Sequence, residues 1–242
     1  MPSPLISIVV PTLEEEKCIG GMLGQFPHSL RERCNLELII SDGGSTDKTV
    51  QFARAAADAV VQANSTQTIS LGRNAGARVA RGEILVFFNA DVRVADPENF
   101  IKEMRRTFED KSVVAATCNV RVIPEDERLA DKLFHRGYNW HVWFMNSIGM
   151  GMGRGECHVI RRSMFDCLGG YNEHLVAGED CEFFVRLRRA GKVAFVRSLT
   201  VYESPRRYRA FGYVRTNLLW SANAIGALFF KRSFSKRWPP VR

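Results

Sequence analysis

ILVFFNADVRV, residues 84–94, decides the fold. Ile84, Leu85, Val86, Phe87 and Phe88 are apolar without alternation, and Glu83 leads into them. A short apolar run of this kind predicts a strand over 83–88 that is covered on both faces, as in a parallel sheet between helices. Asn89 and Asp91 follow directly, one residue apart. An amide and a carboxylate have no place in such a core. At the carboxyl end of a parallel strand they stand where α/β sheets collect ligands.

Working outward, the first half of the chain repeats the pattern. Apolar runs at 5–10 (ending at Pro11), 36–40 and 59–62 predict strands, and 19–26, 49–57 and 70–80 have helical spacing. Strand and helix in alternation imply right-handed crossovers and a doubly wound α/β sheet. The second half is less regular. It predicts a helix over 97–108, a strand over 113–122 and an aromatic-rich helix over 129–148. After the glycine-dense GMGMGRGE at 149–156 come a strand over 157–160, a helical turn over 163–168 and a helix over 180–190. Two short strands over 193–196 and 199–202 follow, then one long helix over 208–230. No repeat or low-complexity linker interrupts the 242 residues, so a single domain is expected.

Composition sets broad limits. The net charge of +8 points to phosphate-bearing partners without choosing between nucleotides, nucleic acid and a membrane surface. No basic–aromatic recognition motif supports nucleic acid. The six cysteines are scattered with no C-x-x-C pair, as expected of reduced thiols rather than a zinc site or a disulfide frame. The N-terminal MPSPLISIVVPT lacks the charged start of a secretory signal, and no charge-free apolar stretch approaches a spanning helix, so a cytoplasmic location is expected.

Polar clusters fall at three predicted strand ends: Pro11-Thr12-Leu13-Glu14-Glu15, Ser41-Asp42-Gly43-Gly44-Ser45 and Asn89-Ala90-Asp91. They should converge on one crevice. Taken alone, the second reads equally well as a glycine turn before a helix, with a cap at Ser45 or Thr46. Taken together with their order and spacing, ISIVVPTLEEE, LELIISDGGSTDKT and SLGRNAGARVARGEILVFFNADV resemble the nucleotide-sugar-binding half of a family 2 glycosyltransferase with a GT-A fold. VAGEDCEFFVRLRRAG, from Val176, resembles that family's acceptor-side motif.

The resemblance implies a single GT-A domain with a Rossmann-like, mostly parallel sheet. Residues 1–95 would form the nucleotide-sugar-binding half and 96–207 the acceptor half, with 208–242 a C-terminal helix and basic tail. It implies Pro11 and Thr12 beside the nucleobase, and Asp42 accepting from the base, most naturally a uracil imide, since a carboxylate only accepts. Glu14 would contact the nucleoside, and Arg73 would reach base or ribose. Asp91 would ligate Mn²⁺ or Mg²⁺, hard cations that favour oxygen, bridging the diphosphate. Where the family has Asp-x-Asp this chain has Asn-x-Asp, with Ala90 between. Asn89 keeps hydrogen-bonding capacity toward sugar or ribose hydroxyls but removes one negative charge. Asp180, with Glu179 beside it, would be the general base of an inverting displacement; in isolation the pair reads as acids favouring a helix's positive end. Arg206 and Arg207 would clamp the diphosphate, or else form a solvated basic face.

The expected activity is transfer of a sugar from a nucleotide-diphosphate sugar, most naturally a UDP-sugar, to an acceptor hydroxyl on a carbohydrate or lipid-linked molecule. A nucleotidyltransferase would need a glycine-rich loop after the first strand, where this chain has three glutamates. A non-catalytic sugar-nucleotide or membrane-binding protein would have little use for both Asp91 and Asp180. The apolar C-terminal helix with Lys231, Arg232, Lys236 and Arg237 at its end fits peripheral contact with the inner membrane face, a core-packing helix or a homodimer contact.

Overall fold

A computed structural model describes residues 5–63 and 68–235. The chain opens with β1 (Ile6–Thr12), α1 (Ile19–Gln25), α2 (His28–Arg33), β2 (Leu36–Asp42), α3 (Thr49–Ala56) and β3 (Ala59–Gln62). It continues with α4 (Ile69–Val79), β4 (Ile84–Phe88), β5 (Arg93–Val94), α5 (Pro97–Glu109), β6 (Val113–Val122) and α6 (Leu129–Ser147). Then come β7 (Cys157–Arg161), α7 (Arg162–Cys167), α8 (Glu179–Ala190), β8 (Lys192–Glu203), α9 (Arg206–Phe211) and α10 (Tyr213–Phe230).

The strands form one sheet in the order β3-β2-β1-β4-β7-β6-β8-β5. β1 to β4 are mutually parallel, and β7 is antiparallel to both β4 and β6. β6 and β8 therefore run the same way as β1, and only β7 and the short β5 oppose them. The result is a mostly parallel GT-A sheet.

The opening run is explained by its neighbours. Phe88 enters one apolar layer with Ile8, Val10 and the inner faces of α1, α2 and α5. Phe87 enters the other with Val9 and the inner faces of α4, α7 and α8. Every side chain of β4 is buried because both faces are roofed. Phe88 lies 6.1 Å from Phe26 and 5.3 Å from Phe100, and Phe87 meets Tyr171 edge-on at 5.4 Å.

Two expectations need correction. The strands expected over 193–196 and 199–202 are one strand, β8; its register against β6 shifts at Cys118/Asn119, and the Asn119 amide donates to the carbonyls of Arg197 and Leu199 across the irregularity. The helix expected over 208–230 breaks at Gly212, whose φ of 74° suits glycine and separates α9 from α10. The short α2 and β5 were not expected at all. Of the basic C-terminal end, Lys236 and Arg237 lie outside the described residues.

Candidate active site

The carboxyl ends of β1, β2 and β4 supply one wall of the crevice. Thr12 and Asp42 are register partners, and the Thr12 hydroxyl donates to Asp42 Oδ2 at 3.1 Å. Asp42 also accepts from the Gly44 and Ser45 amides (3.0 and 2.8 Å) and the Ser45 hydroxyl (2.5 Å). A carboxylate has about four acceptor positions. Asp42 therefore spends its lone pairs shaping the turn at 42–45, and a base imide would have to displace the Ser45 hydroxyl to reach it. Ser45 Oγ in turn accepts from the Glu14 amide at 2.7 Å, and the Glu14 carboxylate accepts from the Thr46 amide and hydroxyl (2.8 and 2.9 Å). Glu14 holds a φ of 57° to do this. The Glu15 amide to Thr49 Oγ1 and the Lys48 amide to Glu16 Oε2 extend the stitching. The serines and threonines of SDGGSTDKT join the two loops, and the turn itself is closed by Asp42 rather than capped at Ser45 or Thr46. Pro11 backs this wall: a Cβ on Gly72 of α4 would meet its ring at 3.2 Å.

Asp91 stands beyond β4, after the buried Ala90. Its Oδ2 accepts from Arg206 Nη2 at 2.9 Å, and the same nitrogen lies 3.6 Å from Glu15 Oε2. Burial pushes the Glu15 carboxyl up, with Arg206 opposing and Asp91 adding. Arg207 is held down by burial while the charge of Asp91 pulls it up. Arg206, expected at the diphosphate, thus pairs with the carboxylate expected to hold a metal. Among the described residues no three His, Cys, Asp or Glu side chains form a metal cage. Asp91 nevertheless fits the mode in which Mg²⁺-like ions use one carboxylate and take further oxygens from substrate phosphates.

Arg73 joins this wall to the acceptor side. α4 lies against β1 so closely that a Cβ on Gly76 would sit 2.3 Å from Val9 Cγ1. That approach leaves Arg73 1% exposed, with Nη1 on Glu179 Oε1 at 2.8 Å and Nη2 on the Gly155 carbonyl at 2.9 Å and Asn89 Oδ1 at 3.4 Å. Its guanidinium also covers the Tyr171 ring at 5.1 Å. Arg73 was expected near base or ribose; its partners link Asn89 to Gly155 and to the start of α8. There Gly178, at φ 82°, turns the chain into Glu179 and Asp180. Asp180 Oδ1 accepts from the Cys181 amide at 2.8 Å, and Oδ2 lies 3.8 Å from where Gly155 would carry a Cβ. Burial pushes Glu179 up to about 7, Asp180 adding and Arg73 opposing. Burial also raises Asp180, against Arg73.

The glycines at 149–155 serve close packing. A Cβ on Gly151 would meet the Phe184 carbonyl at 2.5 Å, so the loop lies flat on α8. His158 is buried with Nδ1 at 2.7 Å from the Tyr171 hydroxyl, a core histidine rather than a ligand.

Sequence reading missed one cluster. Phe88 pairs with Cys157, so Glu156 enters β7 beside the point where Asn89 leaves β4. Arg154 Nε lies 3.3 Å from Glu156, and its Nη2 lies 3.0 Å from Glu203, which also accepts from the Tyr208 hydroxyl at 2.9 Å. Burial would raise Glu156, but Arg154 holds it below the usual range. Burial and then Glu156 hold Glu203 well above it. The only hint was an acid placed directly before a strand, and its meaning depends on β7 running antiparallel.

A cavity of about 500 Å³ opens at the other end of the sheet between Lys111, Arg161, Arg188 and Lys192; none of the residues above lines it. A smaller hollow of about 170 Å³ lies beside the crevice between Glu14, Glu15, Asp47 and Arg206.

The chain is similar to known proteins in sequence and in fold. The chain is 26% identical over 215 residues to the O-antigen chain rhamnosyltransferase WbaN of Salmonella anatum, covering 83% of this chain and 66% of that one. Over 100 residues it is 31% identical to a validoxylamine A glucosyltransferase of Streptomyces hygroscopicus, covering 39% of this chain and 22% of that one. It superposes on the mannosyltransferase PcManGT of Pyrobaculum calidifontis with a TM-score of 0.72 at 20% identity, over 94% of this chain and 64% of that one. The chain thus spans about two thirds or less of the length of these relatives. The model of glycosyl transferase family 2 matches residues 7–169, and the chain belongs to that family.

Proposed function

We propose that the chain transfers a sugar from a nucleoside diphosphate sugar, a UDP-sugar in the first instance, to an acceptor hydroxyl with inversion at the anomeric carbon. The observation that carries this reading is the Asn89–Arg73–Glu179 bridge, which ties the Asp91 end of the crevice to Asp180. A divalent ion on Asp91 would supply neutralisation of diphosphate charge. The mannosyltransferase PcManGT was solved with GDP-Man and Mn²⁺, and the glucosyl-3-phosphoglycerate synthase of Mycobacterium tuberculosis with UDP and Mn²⁺, so relatives of this fold bind either base.

Asp180 takes the proton of the acceptor hydroxyl as its oxygen bonds to the anomeric carbon. The bond from that carbon to the phosphate oxygen breaks, and its electron pair leaves with the nucleoside diphosphate. Arg206 turns from Asp91 to the phosphate oxygens and, with Arg207 beside it in the chain, offsets the charge that develops there. Arg73 keeps Glu179 paired, so that Asp180 is the carboxyl free to accept.

A thermal-shift panel of UDP- and GDP-sugars with and without Mn²⁺ tests the donor side: one nucleotide should stabilise the chain, and more strongly with metal. Asp91→Ala should erase the metal-dependent part. Asp180→Asn should bind donor normally and lose about two to four orders of magnitude in kcat. Normal turnover by Asp180→Asn would remove the base from the scheme.

A further inference from the structure

A helix on the surface of a globular protein turns its apolar face inward. α6 does the reverse. Apart from Val142, the residues it buries are polar: Asp131, His135, Asn139 and Asn146. Asn139 bonds both the amide and the carbonyl of Val120, Asn146 both those of Met152, and Asp131 pairs with Arg209. Its outward stripe is Leu129, Leu133, Trp140 and Phe144, at helical spacing, with Leu133 64% and Trp140 58% exposed. α10 repeats the inversion: Thr216 and Asn223 are buried, while Val214, Leu218, Ile225 and Phe229 face outward, Leu218 at 66% and Phe229 at 77%. The two helices are neighbours, joined by Phe134 on Tyr213 at 4.8 Å and Tyr138 on Trp220 at 6.0 Å.

Charge on this face has one sign. The only acid in either helix is Asp131, which is fully buried, whereas Lys132, Arg136, Arg215, Lys231 and Arg232 are exposed on the helices and just past α10. Apolar stripes whose own helices expose only cations, with the acids Glu125 and Asp126 confined to the turn before α6, match an acyl layer beneath anionic headgroups. A second copy of the same face would set like charge against like. Among the described residues no helix is long and apolar enough to cross a membrane, so contact would be in the plane of the surface.

We propose that the paired outer faces of α6 and α10 dock the protein on an anionic lipid bilayer. The buried side of α10, opposite the docked face, seats the turn that leads into Glu179. The Asn223 carbonyl of α10 lies 2.7 Å from where Gly178 would carry a Cβ, directly before Glu179 and Asp180. If the transferase reading above holds, an acceptor anchored in the bilayer is delivered to Asp180 from this side; the docking itself does not rest on that reading.

Flotation of the full chain with lipid vesicles tests the proposal. The protein should float with phosphatidylcholine vesicles containing about a third phosphatidylglycerol, stay behind with phosphatidylcholine alone, and be released by high salt. Trp140→Glu combined with Phe229→Glu should cut the floated fraction about tenfold at an unchanged thermal midpoint. Phe52→Glu, at an exposed aromatic of α3 away from this face, should float as the unaltered chain does. Failure of the unaltered chain to float with anionic vesicles, or equal flotation by the double variant, overturns the proposal. So does a dimer of the unaltered chain that the double variant breaks while neither floats, which would assign the face to a second copy. Flotation without any sugar transfer would count against the transferase reading alone.

Discussion

Glu179 and Asp180 share the field of one buried guanidinium, and their protonation sets when the site can act. With Glu179 held at about 7, the pair takes up a proton as the solution becomes mildly acidic. We expect kcat/KM to fall on the acid side as a proton reaches Asp180, which burial also raises. Glu179→Gln removes a neighbouring charge and leaves Arg73 to favour the ionised Asp180, so the acid limb of the pH–rate profile should move to lower pH. An unmoved limb would mean that the two carboxyls do not titrate together. The same group gives a stability slope of defined sign. Between the unfolded value of 4.5 and the folded value of about 7, the folded chain holds a proton that the unfolded chain has released. Stability from this group therefore declines as pH rises through that window. Denaturant midpoints across it should fall more steeply for the unaltered chain than for Glu179→Gln. Arg73→Ala leaves Glu179 buried without its cation and should cost about 3–5 kcal/mol.

At the scale of elements, the site depends on how closely α4 rides on the sheet. Gly76→Ala would force a methyl to 2.3 Å from Val9 Cγ1. Either the helix lifts, taking Arg73 with it, or the side chain gives way, at a cost of about 1–3 kcal/mol. Equilibrium unfolding measures that cost, and the acid limb reports any displacement of Arg73. This contact also shows what the sequence made legible and what it did not. The apolar runs of β1, β2, β4 and β6 and the small residues of α4 could be read directly, because burial on both faces leaves a local pattern. The polar clusters after β1, β2 and β4 could be assigned to one edge, since parallel strands carry their ends together. The partners of Arg73 could not be read, since Glu179 is 106 residues away in the chain. Nor could Glu156, whose place depends on an antiparallel strand inserted among parallel ones. The inward polar face of α6 was hidden for a related reason: Asn139 is explained only by the Val120 backbone groups it satisfies.

At the scale of the molecule, β7 is the seam. It pairs with β4 on one side and β6 on the other, so the strands of the first half of the chain and those of the second share one continuous sheet. We expect one cooperative unfolding transition, with far-ultraviolet dichroism and tryptophan fluorescence changing at the same denaturant concentration. Two separated transitions would divide the chain at that seam. The seating of α10 on the turn at Gly178 has a practical corollary for anyone handling this protein. Its greasy last helix invites trimming to improve yield. Shortening the gene there would also strip the support from behind Glu179 and Asp180, and the better-behaved fragment would be a poor guide to the intact protein.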